Sequence, residues 1–125
     1  NNTLMLDLTG QAASESIGTK QYSGTGGQVN FNQGAKMSKG GKRILALAST
    51  YTDKDGNLKS KILPTLPEGS VVTTTRNEVE YVVTEYGVVN IYLDSLNVRT
   101  KKLISIAHPR FRDELTFEAK KHKWI

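Results

Sequence analysis

Three glycines in four positions (Gly24, Gly26 and Gly27), followed by a helix-compatible run from Val29 to Met37, constrain this chain more than any other stretch. A loop without side-chain bulk lets its backbone approach another group closely. Glycine also tolerates the positive φ that aims successive N–H groups at one point. The helix after it would bring a positively polarised N-terminus to the same place. Such a loop can bind an anion or stabilise a developing oxyanion. A plain glycine-rich connection between two elements has the same composition, so the loop alone leaves both readings open.

Two phosphate-binding fingerprints fail. The dinucleotide pattern G-x-G-x-x-G requires a third glycine where Val29 stands after Gly24 and Gly26. The P-loop pattern requires Ser or Thr after Gly41-Lys42, where Arg43 stands, and a first glycine where Lys36 stands. A Rossmann or P-loop nucleotide site is thereby set aside.

Around the loop the pattern alternates between strand and helix. Leu4 to Leu8 reads as a buried strand closed by Thr9-Gly10, and Ile44 to Ala48 as a central strand. Asp53-Lys54-Asp55-Gly56-Asn57 is a turn, since Asp and Asn bond their own backbone and Gly takes positive φ. Ile62-Leu63, Val71 to Thr74 and Val79 to Thr84 read as further strands. Leu96 to Ala107 carries a helical apolar face, with Asp94 or Ser95 as its N-cap. Pro109 starts a last helix in which Phe111, Leu115 and Ala119 stack at intervals of four, and His108 before it reads as a turn or cap residue. Strands mixed with helices indicate an open α/β fold. Neither an internal repeat nor a low-complexity linker interrupts it.

Composition narrows the function further. The 125 residues suffice for a single domain, but 37% apolar content is low for a free-standing one, and the chain opens Asn1-Asn2-Thr3 without methionine. Both features suggest a piece of a longer protein. Without cysteine there is neither a disulfide framework nor a thiolate metal site, and His108 and His122 are too far apart in sequence to suggest a metal cluster. No apolar run approaches the ~20 residues of a membrane span. The +5 net charge is concentrated in Lys36–Arg43, Arg99–Lys102 and Lys120–Lys123. Those clusters lack interleaved aromatic residues for stacking bases and read as solvated surface, so neither nucleic acid nor membrane is expected as a partner. A cytoplasmic protein is the expectation.

Tyr81-Val82-Val83-Thr84-Glu85-Tyr86-Gly87-Val88 puts a carboxylate immediately after a strand. Ligands of open α/β sheets gather at the carboxyl ends of strands, which makes Glu85 a candidate site residue. An ordinary solvated glutamate can occupy the same position.

Taken together, Asp7 to Gln11, Ser23 to Phe31, Ser38 to Lys42, Leu63-Pro64-Thr65-Leu66, Val82 to Gly87 and Ile106 to Leu115 form an ordered set of motifs. They closely resemble the C-terminal part of the acetyl-CoA hydrolase/transferase family, a branch of the class I CoA-transferases that includes 4-hydroxybutyrate and butyryl-CoA:acetate CoA-transferases. The resemblance spans nearly the whole chain, residues 1–125. It implies the C-terminal part of a CoA-transferase-type open α/β domain within a much longer, homo-oligomeric polypeptide. It also implies ping-pong transfer of CoA between an acyl-CoA and a small carboxylate. An enzyme glutamate attacks the acyl-CoA, and a glutamyl-CoA thioester carries CoA onward. The nucleophile's context is absent from this chain. No cofactor is implied, because CoA enters as part of the substrate.

The resemblance assigns roles residue by residue. Gly27, the second glycine of the Gly26-Gly27 pair, matches the position whose backbone N–H faces the thioester oxygen, a role often worth about 2.7–4 kcal/mol per donor. Lys54 matches a basic CoA contact, and the strand before the glycine loop carries another that falls near Leu4. Glu85 matches a second active-site carboxylate, which would order the acceptor or a water and raise the pKa of the nucleophile beside it. Asn30 stands where many relatives have Asp, which removes a charge but keeps hydrogen bonding. Acetyl-CoA hydrolysis is the alternative, differing only in whether water accepts the acyl group. A non-catalytic ligand-binding or assembly domain of the same fold is the other.

Overall fold

β-Branched pairs extend the backbone of this chain, and closely spaced glycine and proline turns keep each extended segment short. The computed structural model describes residues 1–125. In chain order the elements are β1 (Met5–Asp7), β2 (Ala12–Ala13), β3 (Ser16–Ile17), β4 (Lys20–Gln21), α1 (Gln28–Met37), β5 (Ile44–Ala46) and β6 (Thr50–Thr52). They continue with β7 (Leu58–Ser60), β8 (Ile62–Leu63), β9 (Tyr81–Thr84), β10 (Gly87–Asn90), α2 (Leu96–Ser105) and α3 (Pro109–Lys121).

Two three-stranded sheets carry the fold, ordered β2-β1-β8 and β10-β9-β5. Each contains one parallel pair: Leu6 lies opposite Ile62, and Leu45 opposite Val82. The other pairings are antiparallel. A parallel bridge between Asn2 and Ala46 joins the two sheets. There the Thr3 N–H donates to the Ala46 carbonyl at 3.0 Å and the Ala46 N–H to that of Asn1 at 2.8 Å. The hairpins β3–β4 and β6–β7 stand apart from both.

The helices α2 and α3 cover this framework. Ser95 caps α2 by accepting from the Val98 N–H, and Pro109 opens α3 where its missing N–H costs nothing. His108 Nδ1 accepts from the Arg110 N–H at 3.1 Å, which makes it the cap expected at that break. Leu103, Ile106, Ala107, Leu115 and Ala119 turn inward onto Leu6, Leu8, Leu45, Ile62 and Val82 in one core, against which Phe111 and Trp124 pack. Each large aliphatic side chain fully buried there contributes about 1.5–3 kcal/mol.

Four expectations need correction. Ile44 to Ala48 does not make a central strand: β5 ends the β10-β9-β5 sheet, with β9 at its centre. Val71 to Thr74 forms no strand: only Thr74 bridges to Ala12, because its neighbour β2 is two residues long and offers no further ladder. The segment is held instead by single bonds, such as the Val71 N–H to Ser16 Oγ at 2.8 Å. The other two concern charge, since Arg43 and Arg99 belong to the basic clusters read as solvated but are buried. Arg43 pairs with Glu78 and Glu80, both at 3.1 Å, and lies 4.4 Å from the centre of the Tyr92 ring. Arg99 spreads its guanidinium over the carbonyls of Thr9, Arg76, Ile91 and Asp94.

Candidate functional site

The parallel pairing of β5 and β9 places their carboxyl ends side by side, and the chain after each turns away to leave a cleft of about 580 Å³. Leu47 and Ala48 line it after β5, Thr84 and Glu85 at the end of β9, together with Leu4 and Lys61. Leu4 is half-buried, with its N–H on the Ala13 carbonyl at 3.1 Å, and stands in the cleft wall outside the buried core.

Glu85 occupies the first position of a two-residue turn between β9 and β10, since Thr84 pairs with Gly87. The Thr84 hydroxyl fixes this turn, donating to the Ile106 carbonyl at 2.6 Å and accepting from the Tyr86 N–H at 3.1 Å. The Ser49 N–H donates to Glu85 Oε1 at 2.8 Å. The Ser49 hydroxyl makes no well-formed hydrogen bond, yet it stands close enough to the carboxylate to favour its ionised form. That hydroxyl above all, together with the Ser49 N–H and the nearby His108, holds the Glu85 carboxyl below its ordinary pKa against the opposing effect of desolvation. His108 in turn lies edge-on to Tyr86, with ring centres 5.5 Å apart, and the Arg112 guanidinium lies 5.6 Å from the Tyr86 ring centre.

The glycine loop opens α1. Gly26 takes φ +61°, in the left-handed region that favours glycine, while Gly27 is the N-cap with φ −101°. No side chain caps this end and no acidic residue lies in the first turn, so no carboxylate of the helix's own first turn competes for its first N–H groups. Gly26, Gly27 and Asn30 are exposed. Gly27 is not part of the Glu85 cleft wall, but the next residue bonds one that is. Gln28 is buried and donates through Nε2 to the carbonyl of Asn2, which does line the cleft, at 2.9 Å. The same amide donates to Ser14 Oγ at 2.6 Å, and its Oε1 accepts from the Thr74 hydroxyl at 2.6 Å. Gln28 therefore fixes the start of α1 relative to the cleft edge. Sequence reasoning passed over it because a glutamine at a helix start has no pattern of its own.

Lys54 sits in the exposed turn of the β6–β7 hairpin. Asp53 Oδ1 shapes that turn by accepting the N–H groups of Asp55 at 2.9 Å and Asn57 at 2.8 Å. The hairpin leads through Lys61, whose N–H donates to the Ser49 carbonyl at 2.8 Å, back to the cleft wall. Sequence reasoning also passed over Lys61 and Ser49. Among the titratable residues the structure groups no three of His, Asp or Glu in a way that could hold a metal ion. No helix is long and apolar enough to cross a membrane.

Comparison with known proteins agrees with the sequence resemblance. Residues 1–119 match the acetyl-CoA hydrolase/transferase C-terminal domain. Butyryl-CoA:acetate CoA-transferase of Anaerostipes caccae is 52% identical over 121 residues, which cover 97% of this chain and 27% of that enzyme. 4-Hydroxybutyrate coenzyme A transferase of Clostridium kluyveri is 54% identical over 122 residues, covering 97% and 28%. Among solved structures, RipA from Yersinia pestis superposes with a TM-score of 0.86 at 46% identity, covering all of this chain and 27% of RipA. 4-Hydroxybutyrate CoA-transferase from Porphyromonas gingivalis gives 0.72 at 43% identity, covering 98% and 26%. The chain thus spans about a quarter of the length of these relatives. Its sequence motifs, its α/β framework and these matches make it a member of the acetyl-CoA hydrolase/transferase family, corresponding to that family's C-terminal domain.

Proposed function

We propose that this chain is the C-terminal part of a CoA-transferase that moves CoA between an acyl-CoA and a small carboxylate through an enzyme glutamyl-CoA thioester. The observation that carries the reading is Glu85, an ionised carboxylate anchored on Ser49 at the mouth of a cleft formed by two parallel strand ends. The names of the relatives, transferases for butyrate and 4-hydroxybutyrate, favour a carboxylate over water as acceptor. The covalent nucleophile lies outside these residues, in the remainder of the polypeptide.

Each residue then has a defined task. Glu85 orders the acceptor and, as an anion, raises the pKa of the attacking glutamate. Gly27 offers its N–H to the thioester oxygen from the start of a helix whose dipole favours that developing charge. Lys54 contacts a polar part of CoA remote from the reacting carbon, and Leu4 and Gly26 complete the contact surface. The enzyme acts in the cytoplasm as a homo-oligomer.

Steady-state kinetics of the intact polypeptide carrying this chain test the proposal. Parallel double-reciprocal lines for acyl-CoA and carboxylate are expected, together with a borohydride-trapped glutamate outside residues 1–125. Intersecting lines without a trapped glutamate would refute the covalent route.

A further inference from the structure

Ser49 is the best-placed residue around Glu85 that no motif identifies. It follows β5, whose parallel pairing with β9 fixes its height beside the strand end. Its backbone is used on both sides: the N–H donates to Glu85 Oε1 at 2.8 Å, and the carbonyl accepts the Lys61 N–H at 2.8 Å. Its side chain is fully buried, and Oγ has no well-formed hydrogen bond. A buried hydroxyl without a partner is a liability that alanine would avoid at this position. The acceptor beside it is the Glu85 carboxylate.

We propose that Ser49 is the positioning residue for Glu85: its N–H anchors one carboxylate oxygen at the cleft mouth, its hydroxyl backs the same group, and the second oxygen is left facing the reactants. This rests on the reading of Glu85 as an active-site carboxylate. The other groups facing Glu85 do different work. His108, from the junction of α2 and α3, uses Nδ1 to accept the Arg110 N–H and makes no hydrogen bond to Glu85. Lys61 lines the same cleft and forms no ion pair with Glu85. Thr84 and Tyr86 hold the turn backbone rather than the carboxylate. Among the neighbouring residues it is Ser49 that donates to Glu85.

The intact protein with labelled glutamate carboxyl carbons and backbone nitrogens provides the test. On acidification the Ser49 amide proton and the Glu85 carboxyl carbon should titrate with one common midpoint. Ser49→Ala removes only the hydroxyl, so the Glu85 midpoint should move upward and kcat should fall roughly tenfold, with KM for acyl-CoA changed less than about threefold. Ser49→Cys, a weaker donor of similar size, should recover part of both. A Ser49 amide that ignores the Glu85 titration overturns the inference, as does a Ser49→Ala protein with unchanged midpoint and kcat. Glu85→Gln separates the two levels. If that substitution leaves kcat intact, the role of Glu85 itself fails and the inference falls with it. If it is severe while Ser49→Ala is silent, the inference alone fails.

Discussion

A single carboxylate illustrates how far residue types speak for themselves. Glu85 stood out because the strand Tyr81–Thr84 ends on it, and the structure puts it in a cleft with Leu4. Its anchor could not be read, since Ser49 is 36 residues away and its contribution is a backbone N–H that every residue type carries. Glu85→Gln in the intact protein keeps an acceptor for Ser49 but removes the charge. We expect kcat to fall about 100-fold with a modest change in KM for acyl-CoA, measured in steady state. The pH dependence follows from sign. The folded-state pKa of Glu85 is depressed, so its contribution is fully present above the ordinary glutamate value of about 4.3 and is lost as pH falls through the lower folded value. Activity should therefore show no limb from Glu85 between about pH 5 and 8. Lys54 presents a different case, an exposed ammonium on a hairpin tip remote from any reacting carbon. Lys54→Ala should raise the KM for acyl-CoA several-fold while kcat holds, because a distant contact acts as uniform binding. A change confined to kcat would place Lys54 in the chemistry instead.

Elements marked by caps, helical spacing or an apolar or β-branched run were legible, and those without such a mark were not. The helices α2 and α3 were found from their caps and apolar spacing, and β1, β5, β8 and β9 from apolar or β-branched runs. The strands β2, β3 and β4 have two residues each, too few to alternate, and β10 follows a Glu85-Tyr86 turn that lacks the usual glycine or asparagine pair. α1 was found from its composition, but not the way it faces. It buries Gln28 and Asn32 and exposes Phe31 and Met37, at 68% and 86%, the reverse of an amphipathic helix on its own core. Arg99 connects elements that pattern alone would not join: the turn after β1, the Arg76 loop, the end of β10 and the entry to α2. Burial first, and then the Arg76 charge, push its pKa down, so the site is already costly for a cation. Arg99→Lys cannot span four carbonyls with one ammonium. The substitution should cost about 2–4 kcal/mol, seen as a lower urea midpoint with unchanged slope.

At the scale of the whole molecule, 30 of 125 residues are buried and several large apolar side chains stay exposed, among them Phe31, Met37, Leu93 and Phe117. That balance suits a unit that shares surface with other parts of a polypeptide, and this chain spans about a quarter of its relatives' length. The proposed function divides the catalytic parts accordingly. In that proposal the glycine loop and Glu85 polarise and position a thioester, while Glu85 is anchored on the Ser49 N–H with its pKa lowered. The same lowering of its pKa reduces the basicity of the carboxylate and weakens it as a nucleophile, and none of the other glutamates lines the cleft. Incubated with acyl-CoA, residues 1–125 alone should therefore form no covalent thioester, and borohydride should reduce no glutamate among them. Mass spectrometry of the treated chain reads this directly, as an unchanged mass and unmodified peptides throughout. A CoA-sized adduct on Glu85 would show that this carboxylate leaves Ser49 to attack, and the division of labour between this chain and the rest of the polypeptide would have to be reversed.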